Sequence, residues 1–216
     1  QFENVAINSM FLWAQNTSMP YGGFKTGRSL QLKIEDAQYL YNRVPELQYI
    51  APRNARGIFG SAAPSVVRKN KGGDYSIYGD YPIFTKIATK FIYDGGRFIN
   101  QADIDQERKV CVIGERTQSE LFEDNENPIG DYILISGVFF QVIGVHKYIP
   151  GGGFESDSDI FIPFTTFRKL YNTGDRVDLF ALAAYDDADI LAVEEKVKVA
   201  MQSKYNVHPE DERAFG

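Results

Sequence analysis

Cysteine is nearly absent from this sequence, which has a single cysteine among 216 residues. Because Cys111 has no second cysteine, the chain has no framework of internal disulfides and no cysteine-based zinc site. Histidine is almost as scarce, and neither His146 nor His208 has another histidine at metal-ligand spacing. We therefore predict no metal site and no cofactor, and we interpret Cys111 as a buried apolar residue and both histidines as surface or strand-end side chains.

Long apolar runs and basic stripes are also missing. The apolar stretch over 138–143 is interrupted by Gln141 and is far shorter than the ~20 residues that a membrane-spanning helix needs. The formal net charge is −6 and no cluster of Lys and Arg occurs, which excludes a nucleic-acid partner because basic side chains must neutralise the phosphates. The chain begins at Gln1 with no initiator methionine or signal-peptide pattern, so we expect it to be part of a longer protein.

The two ends of the chain each predict a β-α-β unit. Near the start, residues 5–13 are typical of a strand, and apolar residues over 34–44 recur at the spacing of one helix face before Pro45 ends the helix. An extended segment over 47–59 follows. Near the end, the pattern predicts a strand over 177–185, a helix to about Lys204 and a last strand from Tyr205 to Val207.

The middle of the chain is rich in strand patterns. We predict one hairpin from 65–69 and 75–78, with its turn at Gly72-Gly73, and another from 132–135 and 138–145, with its turn at Ser136-Gly137. We therefore predict an α+β fold. Residues 1–60 with 177–216 form one subdomain from both chain ends, and residues 61–176 form an inserted, strand-rich subdomain.

Motifs of the common catalytic and nucleotide-binding sites are not found. The Gly151–Gly153 run is not followed by the Lys-Ser/Thr of a Walker loop, and no Gly-x-Ser-x-Gly elbow occurs. Glu155, Asp157 and Asp159 lack the longer ligand series of a calcium loop, so we interpret them as a solvated acidic loop. We predict no catalytic residue and no enzymatic activity in this chain.

A series of short motifs, in a fixed order, resembles the periplasmic core domain of MacB-type ABC transporter permeases, which are FtsX-like. The series is Gly96-Arg97-Phe98 with Asp103, then 109–114, Leu121-Phe122, 127–130, 133–135, 140–145 and 160–163. Glycines at 96, 114, 130 and 144 fall at the ends of these apolar runs, where a tight turn or a close backbone approach suits a residue without Cβ. The motifs are therefore determinants of the fold, and the resemblance covers nearly the whole chain.

The resemblance implies an inner-membrane transporter with this domain on its periplasmic side. The subdomain formed by the chain ends would be like the porter modules of efflux pumps, and the inserted one would be Sabre-like. Implied partners are an ABC ATPase subunit or domain, a periplasmic adaptor protein and a second copy of the full-length protein. ATP hydrolysis would lie in a separate domain or subunit, because this chain carries no nucleotide-binding motif.

The leading interpretation is therefore a domain that binds partners and transmits motion, in export or efflux. Two alternatives remain open at this stage. One is a permease domain that releases lipoproteins or regulates cell-wall hydrolases, and the other is a free-standing periplasmic enzyme. We expect partner contacts at Tyr148 and Phe154, because both aromatic residues lie in the loop that contains the three glycines.

Overall fold

A computed structural model describes residues 8–149 and 155–216. The fold is α+β, as predicted, and the chain divides into two units. The middle unit is Asn54–Gly174, and the terminal unit is residues 8–53 with Asp175–Gly216. The predicted assignment of residues 1–60 with 177–216 to a porter-like subdomain, and of 61–176 to a Sabre-like one, stays a prediction. Within the described ranges, no helix is both long and apolar enough to cross a membrane.

The terminal unit has a sheet in which a strand from the end of the chain lies between two strands from its start. The elements are β1 (Ser9–Leu12), β2 (Leu32–Lys33), α1 (Asp36–Arg43), β3 (Leu47–Arg56), β12 (Arg176–Val177), β13 (Leu179–Ala184) and α6 (Ile190–Tyr205). The order is β1-β13-β3 with both pairings antiparallel, and β2 pairs with β12 separately. β3 gives residues 47–53 to this unit and 54–56 to the middle unit. The first predicted β-α-β unit is therefore present, but β13 separates its two strands.

Helices α1 and α6 are joined by a buried acid. Asp36, in the first turn of α1, is fully buried. Its carboxylate accepts hydrogen bonds from the Lys204 ammonium and, at 2.5 Å, from the Tyr205 hydroxyl, both in the last turn of α6. Since a buried charge is costly unless it is paired, these contacts fix the packing of the two helices.

The predicted last strand is wrong. Tyr205 is the final residue of α6, and Asn206 ends the helix in the left-handed conformation, with φ 53° and ψ 53°. Residues 206–216 then run irregularly, apart from an isolated bridge between Phe215 and Ala14. Apolar periodicity identified α6, but a short segment after a helix cap has no local signal that separates a strand from an irregular turn.

The middle unit has a mixed sheet covered by short helices. Its further strands are β4 (Ser65–Arg68), β5 (Lys71–Asp74), β6 (Ile77–Asp80), β7 (Phe91–Ile92), β8 (Val110–Gly114), β9 (Tyr132–Ile135), β10 (Val138–Lys147) and β11 (Ile160–Pro163). Its helices are α2 (Phe84–Ile87), α3 (Gln101–Asp105), α4 (Glu115–Leu121) and α5 (Phe164–Tyr171). The order from the end of β3 is β6-β11-β8-β10-β9-β4-β5, and β7 pairs with the end of β10. Buried aliphatic and aromatic residues from these strands form one core with Leu121, Phe122 and Phe167.

One predicted hairpin is confirmed and the other has the wrong turn. β9 and β10 form the hairpin across Ser136-Gly137, whose φ angles of 49° and 79° suit a two-residue turn. In the other hairpin, β4 pairs with β5 rather than with residues 75–78. The turn contains Lys69, with φ 54°, and Gly72 and Gly73 lie inside β5 opposite Val67 and Val66. The glycine pair suggested a turn, but both glycines belong to a strand. The Tyr75 ring lies against Gly73 and leaves little room for a side chain at that position.

Candidate partner-contact surface

The predicted contact residue Tyr148 follows β10 directly and is 39% exposed. Its predicted companion Phe154 lies outside the described residues. Because Tyr148 is partly exposed, its amphipathic ring faces solvent, and it precedes the segment that contains Phe154. Its use as a partner contact stays a prediction.

The chain that follows residues 150–154 is held at Glu155 by a buried ion pair. The Lys90 ammonium donates to the Glu155 carboxylate, and their side chains are only 7% and 11% exposed. Lys90 also lies 4.9 Å and 4.8 Å from the ring centroids of Phe84 and Phe161. An ion pair this deeply buried, over two aromatic faces, fixes the position of Glu155 relative to the core.

His146 and Asp159 anchor the same region. His146 lies at the end of β10, in agreement with the expected strand-end position, but it is buried, and its Nε2 lies 2.6 Å from the backbone oxygen of Asp159. Asp159 is buried too, and its carboxylate accepts from the backbone N–H of Ser156 at 2.7 Å. The expected solvated acidic loop is therefore wrong for Glu155 and Asp159. Burial lowers the pKa of His146, so the neutral imidazole is favoured.

Strand β7 and the residue after it present two aromatic side chains that the sequence analysis did not select. Phe91 is 50% exposed and Tyr93 is 39% exposed, and their rings meet edge to face with centroids 5.8 Å apart. Phe91 lies opposite Lys147 of β10, and the backbone N–H of Tyr93 donates to the oxygen of Val145 at 2.9 Å. The alternation of Phe91 and Tyr93 was the available signal, since residues two apart in an extended segment lie on one face.

A cleft with two carboxylates lies beside Tyr93. Its volume is about 320 Å³, and its lining combines acidic, amide and apolar groups. We call it the acidic cleft, lined by Tyr93, Asp94, Glu115, Gln118, Asn127, Pro128, Ile129 and Val145. The Tyr93 hydroxyl donates to Glu115 Oε2 at 2.6 Å, and this hydrogen bond raises the pKa of Tyr93. Since neither Lys nor Arg is among these lining residues, the cleft favours a cationic group.

Three of the motif glycines permit close backbone packing in this region. A Cβ on Gly114 would collide with the backbone oxygen of Asp157, and one on Gly144 would collide with that of Arg97. A Cβ on Gly96 would lie 2.8 Å from the Cα of Gly144. The segment 93–97 can therefore run against β10, and the segment 157–158 can run against the start of α4, only because these positions have no side chain.

The Gly-Arg-Phe motif is followed by a buried acid, Asp103, whose hydrogen bonds hold the chain after β7 in place. Asp103 is fully buried and accepts from Arg97 at 2.7 Å, from Arg108 at 3.2 Å and from the N–H of Asn100 at 2.9 Å. Asn100 in turn caps α3 through the N–H of Asp103. Burial acts to raise the pKa of Asp103, but the hydrogen bonds from Arg97 and Asn100 outweigh it, so the pKa lies below its usual value.

The remaining candidate groups are placed for structure. Cys111 is fully buried in β8, and burial raises the pKa of its thiol, which keeps it protonated and unreactive. Within residues 8–149 and 155–216, no group of three or more His, Cys, Asp or Glu is placed to hold a metal ion. His208 lies edge to face with Tyr21, with centroids 5.4 Å apart. Among the described residues, the exposed aromatic side chains and the acidic cleft remain the candidate contact groups.

Comparisons with known proteins agree on one family. Residues 1–200 match the family described as MacB-like periplasmic core domain. A macrolide export ATP-binding/permease protein, MacB, of Bdellovibrio bacteriovorus is 24% identical over 209 residues, which is 96% of this chain and 31% of that protein. A pyoverdine export ATP-binding/permease protein, PvdT, of Pseudomonas savastanoi is 32% identical over 114 residues, or 51% of this chain and 17% of that protein. The chain thus spans a third or less of the length of these relatives.

Solved structures share the fold. The periplasmic region of MacB from Actinobacillus actinomycetemcomitans superposes with a TM-score of 0.75, covering 99% of this chain and 89% of that one at 21% identity. The extracellular domain of YknZ, a noncanonic ABC-type transporter from Gram-positive bacteria, gives 0.74, covering 96% and 97% at 15% identity. At these identities the likeness establishes the fold alone.

Proposed function

Because this chain belongs to the family of MacB-like periplasmic core domains, we propose that it is the extracytoplasmic domain of an ABC transporter permease that binds partners and transmits motion. The observation that carries the proposal is the family match over residues 1–200. Motion in the full-length protein would be coupled to ATP hydrolysis in the cytoplasm. We propose no catalytic role for this chain, since ATP would act in a separate domain or subunit.

Export or efflux is the proposed direction of transport. The relatives named above are macrolide and pyoverdine export proteins, which favours export over lipoprotein release or regulation of cell-wall hydrolases. The chain spans 31% and 17% of those two proteins, so their substrates are not transferred to it. The proposed location is the periplasmic side of the inner membrane, with membrane spans supplied by the rest of the natural protein.

Three partners follow from this role. The first is the ABC ATPase, on the same chain or on a separate subunit, and the second is another copy of the full-length protein. The third is a periplasmic adaptor protein, for which we propose Tyr148 and Phe154 as contacts. The exposed ring of Tyr148 and the buried pair Lys90–Glu155, which holds the chain beyond residue 154, support this placement.

Purification of the natural full-length protein from detergent-solubilised membranes tests the proposal. We expect an ABC ATPase, on the same chain or as a second subunit, and ATPase activity in the purified complex. A full-length protein that is soluble without detergent and carries no ATPase would overturn the proposal and return attention to an enzymatic role.

The contact residues need a separate comparison in the same preparation. Alanine at Tyr148 and Phe154 should reduce recovery of the adaptor while leaving the ATPase bound. Alanine at Tyr132, which is 51% exposed on β9 of the same unit, is the matched control. Equal adaptor recovery from the Tyr148 and Phe154 variant and from the control would exclude these contacts.

A further inference from the structure

We propose that the acidic cleft, together with Phe91, binds an arginine side chain that stands next to an apolar residue in a partner protein. The inference rests on the proposed role in partner binding and adds a second contact, distinct from Tyr148 and Phe154. It specifies the chemistry of the partner segment rather than its name.

Size and shape favour a single long side chain. At about 320 Å³ the cleft lies near the lower end of the range for ligand sites, roughly 300–1,000 Å³. The lining combines the apolar groups of Ile129, Pro128 and Val145 with polar groups. This distribution matches a side chain whose aliphatic stem contacts apolar atoms while its charged end meets polar ones.

The charges select a cation. The cleft is lined by the carboxylates of Asp94 and Glu115 and by the amides of Gln118 and Asn127. The Tyr93 hydroxyl occupies one acceptor site of Glu115, and a carboxylate has about four in all. An anionic partner, such as a nucleic acid or an acidic lipid headgroup, would be repelled here.

Arginine fits better than lysine because of the aromatic pair. The guanidinium is planar, stacks on aromatic faces and donates five hydrogen bonds in a fixed fork that suits carboxylates. Tyr93 provides a ring in the lining of the cleft, and its hydroxyl is hydrogen-bonded to Glu115. Phe91, half-exposed and in edge contact with Tyr93, provides apolar area for the residue next to the arginine.

A titration with defined peptides tests the inference on the 216-residue protein labelled with ¹⁵N. The probe is acetyl-Leu-Arg-Leu-amide, and the matched probe replaces arginine by citrulline, which has nearly the same shape without the charge. We expect saturable shifts of the amide resonances of Asp94, Glu115 and Asn127 with the arginine peptide. The citrulline peptide should bind about tenfold more weakly, since it loses a charge-assisted hydrogen bond.

Two variants separate the cleft from general attraction to an acidic protein. Glu115→Gln removes a cleft carboxylate and should weaken the arginine peptide about tenfold. Glu120→Gln removes one charge from the same helix, outside the cleft lining, and should leave the affinity within about twofold. Tyr93→Phe removes the hydrogen bond to Glu115 but keeps the ring, so it should retain binding.

The outcomes decide between the cleft and its alternatives. Equal affinity for arginine and citrulline peptides, equal loss in the Glu115 and Glu120 variants, or shifts that do not saturate at the cleft would each overturn the inference. None of these results bears on the recovery of an ATPase with the full-length protein. The transporter role and the cleft can therefore fail separately.

Discussion

The buried pair Lys90–Glu155 allows a quantitative prediction. The change is Lys90→Met, which keeps an unbranched chain over Phe84 and Phe161 and removes the charge. Both side chains of the pair are about nine-tenths buried, so the variant removes the Lys90 charge from beside a buried carboxylate. Loss of one partner of a buried pair costs about 3–5 kcal/mol, whereas replacement of both by apolar residues is often near neutral.

The expected result is therefore non-additive. Lys90→Met should lower the free energy of unfolding by about 3–5 kcal/mol, and Lys90→Met with Glu155→Met should regain most of that loss. For a chain of this length, the single change corresponds to a fall in Tm of about 10 °C. Urea denaturation followed by far-ultraviolet circular dichroism measures the free energies, and a thermal scan measures Tm.

Lys69→Met is the matched control. Lys69 lies 3.5 Å from Glu126 but is 70% exposed, so its pair is screened by water and should contribute about 0.5 kcal/mol or less. The argument from burial would be refuted if Lys90→Met cost no more than Lys69→Met. It would also be refuted if the loss in the double variant equalled the sum of the losses in the Lys90→Met and Glu155→Met single variants.

Three further predictions concern other parts of the chain. Gly114→Ala and Gly144→Ala should each lower the free energy of unfolding by about 1–3 kcal/mol or more, because the new Cβ meets backbone oxygen. Gly130→Ala, which has open space but a φ of 89°, should cost about 1 kcal/mol in the same urea titration. The folded-state pKa of His146 lies below its ordinary 6.5, so its contribution to stability is present above that pH and is lost as the pH falls. His146→Gln should therefore flatten the fall in unfolding free energy between about pH 7 and 5, and an unchanged pH profile would contradict this. The Asp211 carboxylate accepts from Ser18 at the backbone N–H and the hydroxyl, so Asp211→Ala should cost about 1–3 kcal/mol and speed amide hydrogen exchange at Ser18.

Elements with a local pattern could be predicted from the sequence. Apolar spacing identified α1 and α6, and Ser136-Gly137 between apolar strands identified the β9-β10 hairpin. The pairing of β13 between β1 and β3 could not be predicted, because it joins segments from opposite ends of the chain. The Gly72-Gly73 pair led to a wrong prediction of the turn between β4 and β5. Glycine occurs in turns, but it also occurs in strands where a neighbouring group leaves no room for a side chain.

The candidate surface was predictable only in part. Tyr148 was selected because its loop is rich in glycine, and it is exposed. The acidic cleft joins Tyr93, Glu115 and Asn127, which come from three separate segments, so no spacing in the sequence marks it. The strand-end position of His146 could be predicted, but its burial could not, because a histidine that ends an apolar strand has no local signal of burial; the backbone of Asp159 and the ring of Phe161 lie against it.

The position of β13 has a consequence for synthesis on the ribosome. β1 and β3 emerge early, but neither pairs with the other, because each takes β13 as its neighbour. All of Asn54–Gly174 is translated before β13 appears, so the middle unit has its whole sequence available first. Until the last quarter of the chain has been translated, the edges of β1 and β3 that pair with β13 lack that partner. Chaperone binding to residues 8–53 of stalled nascent chains should therefore persist until β13 has left the exit tunnel.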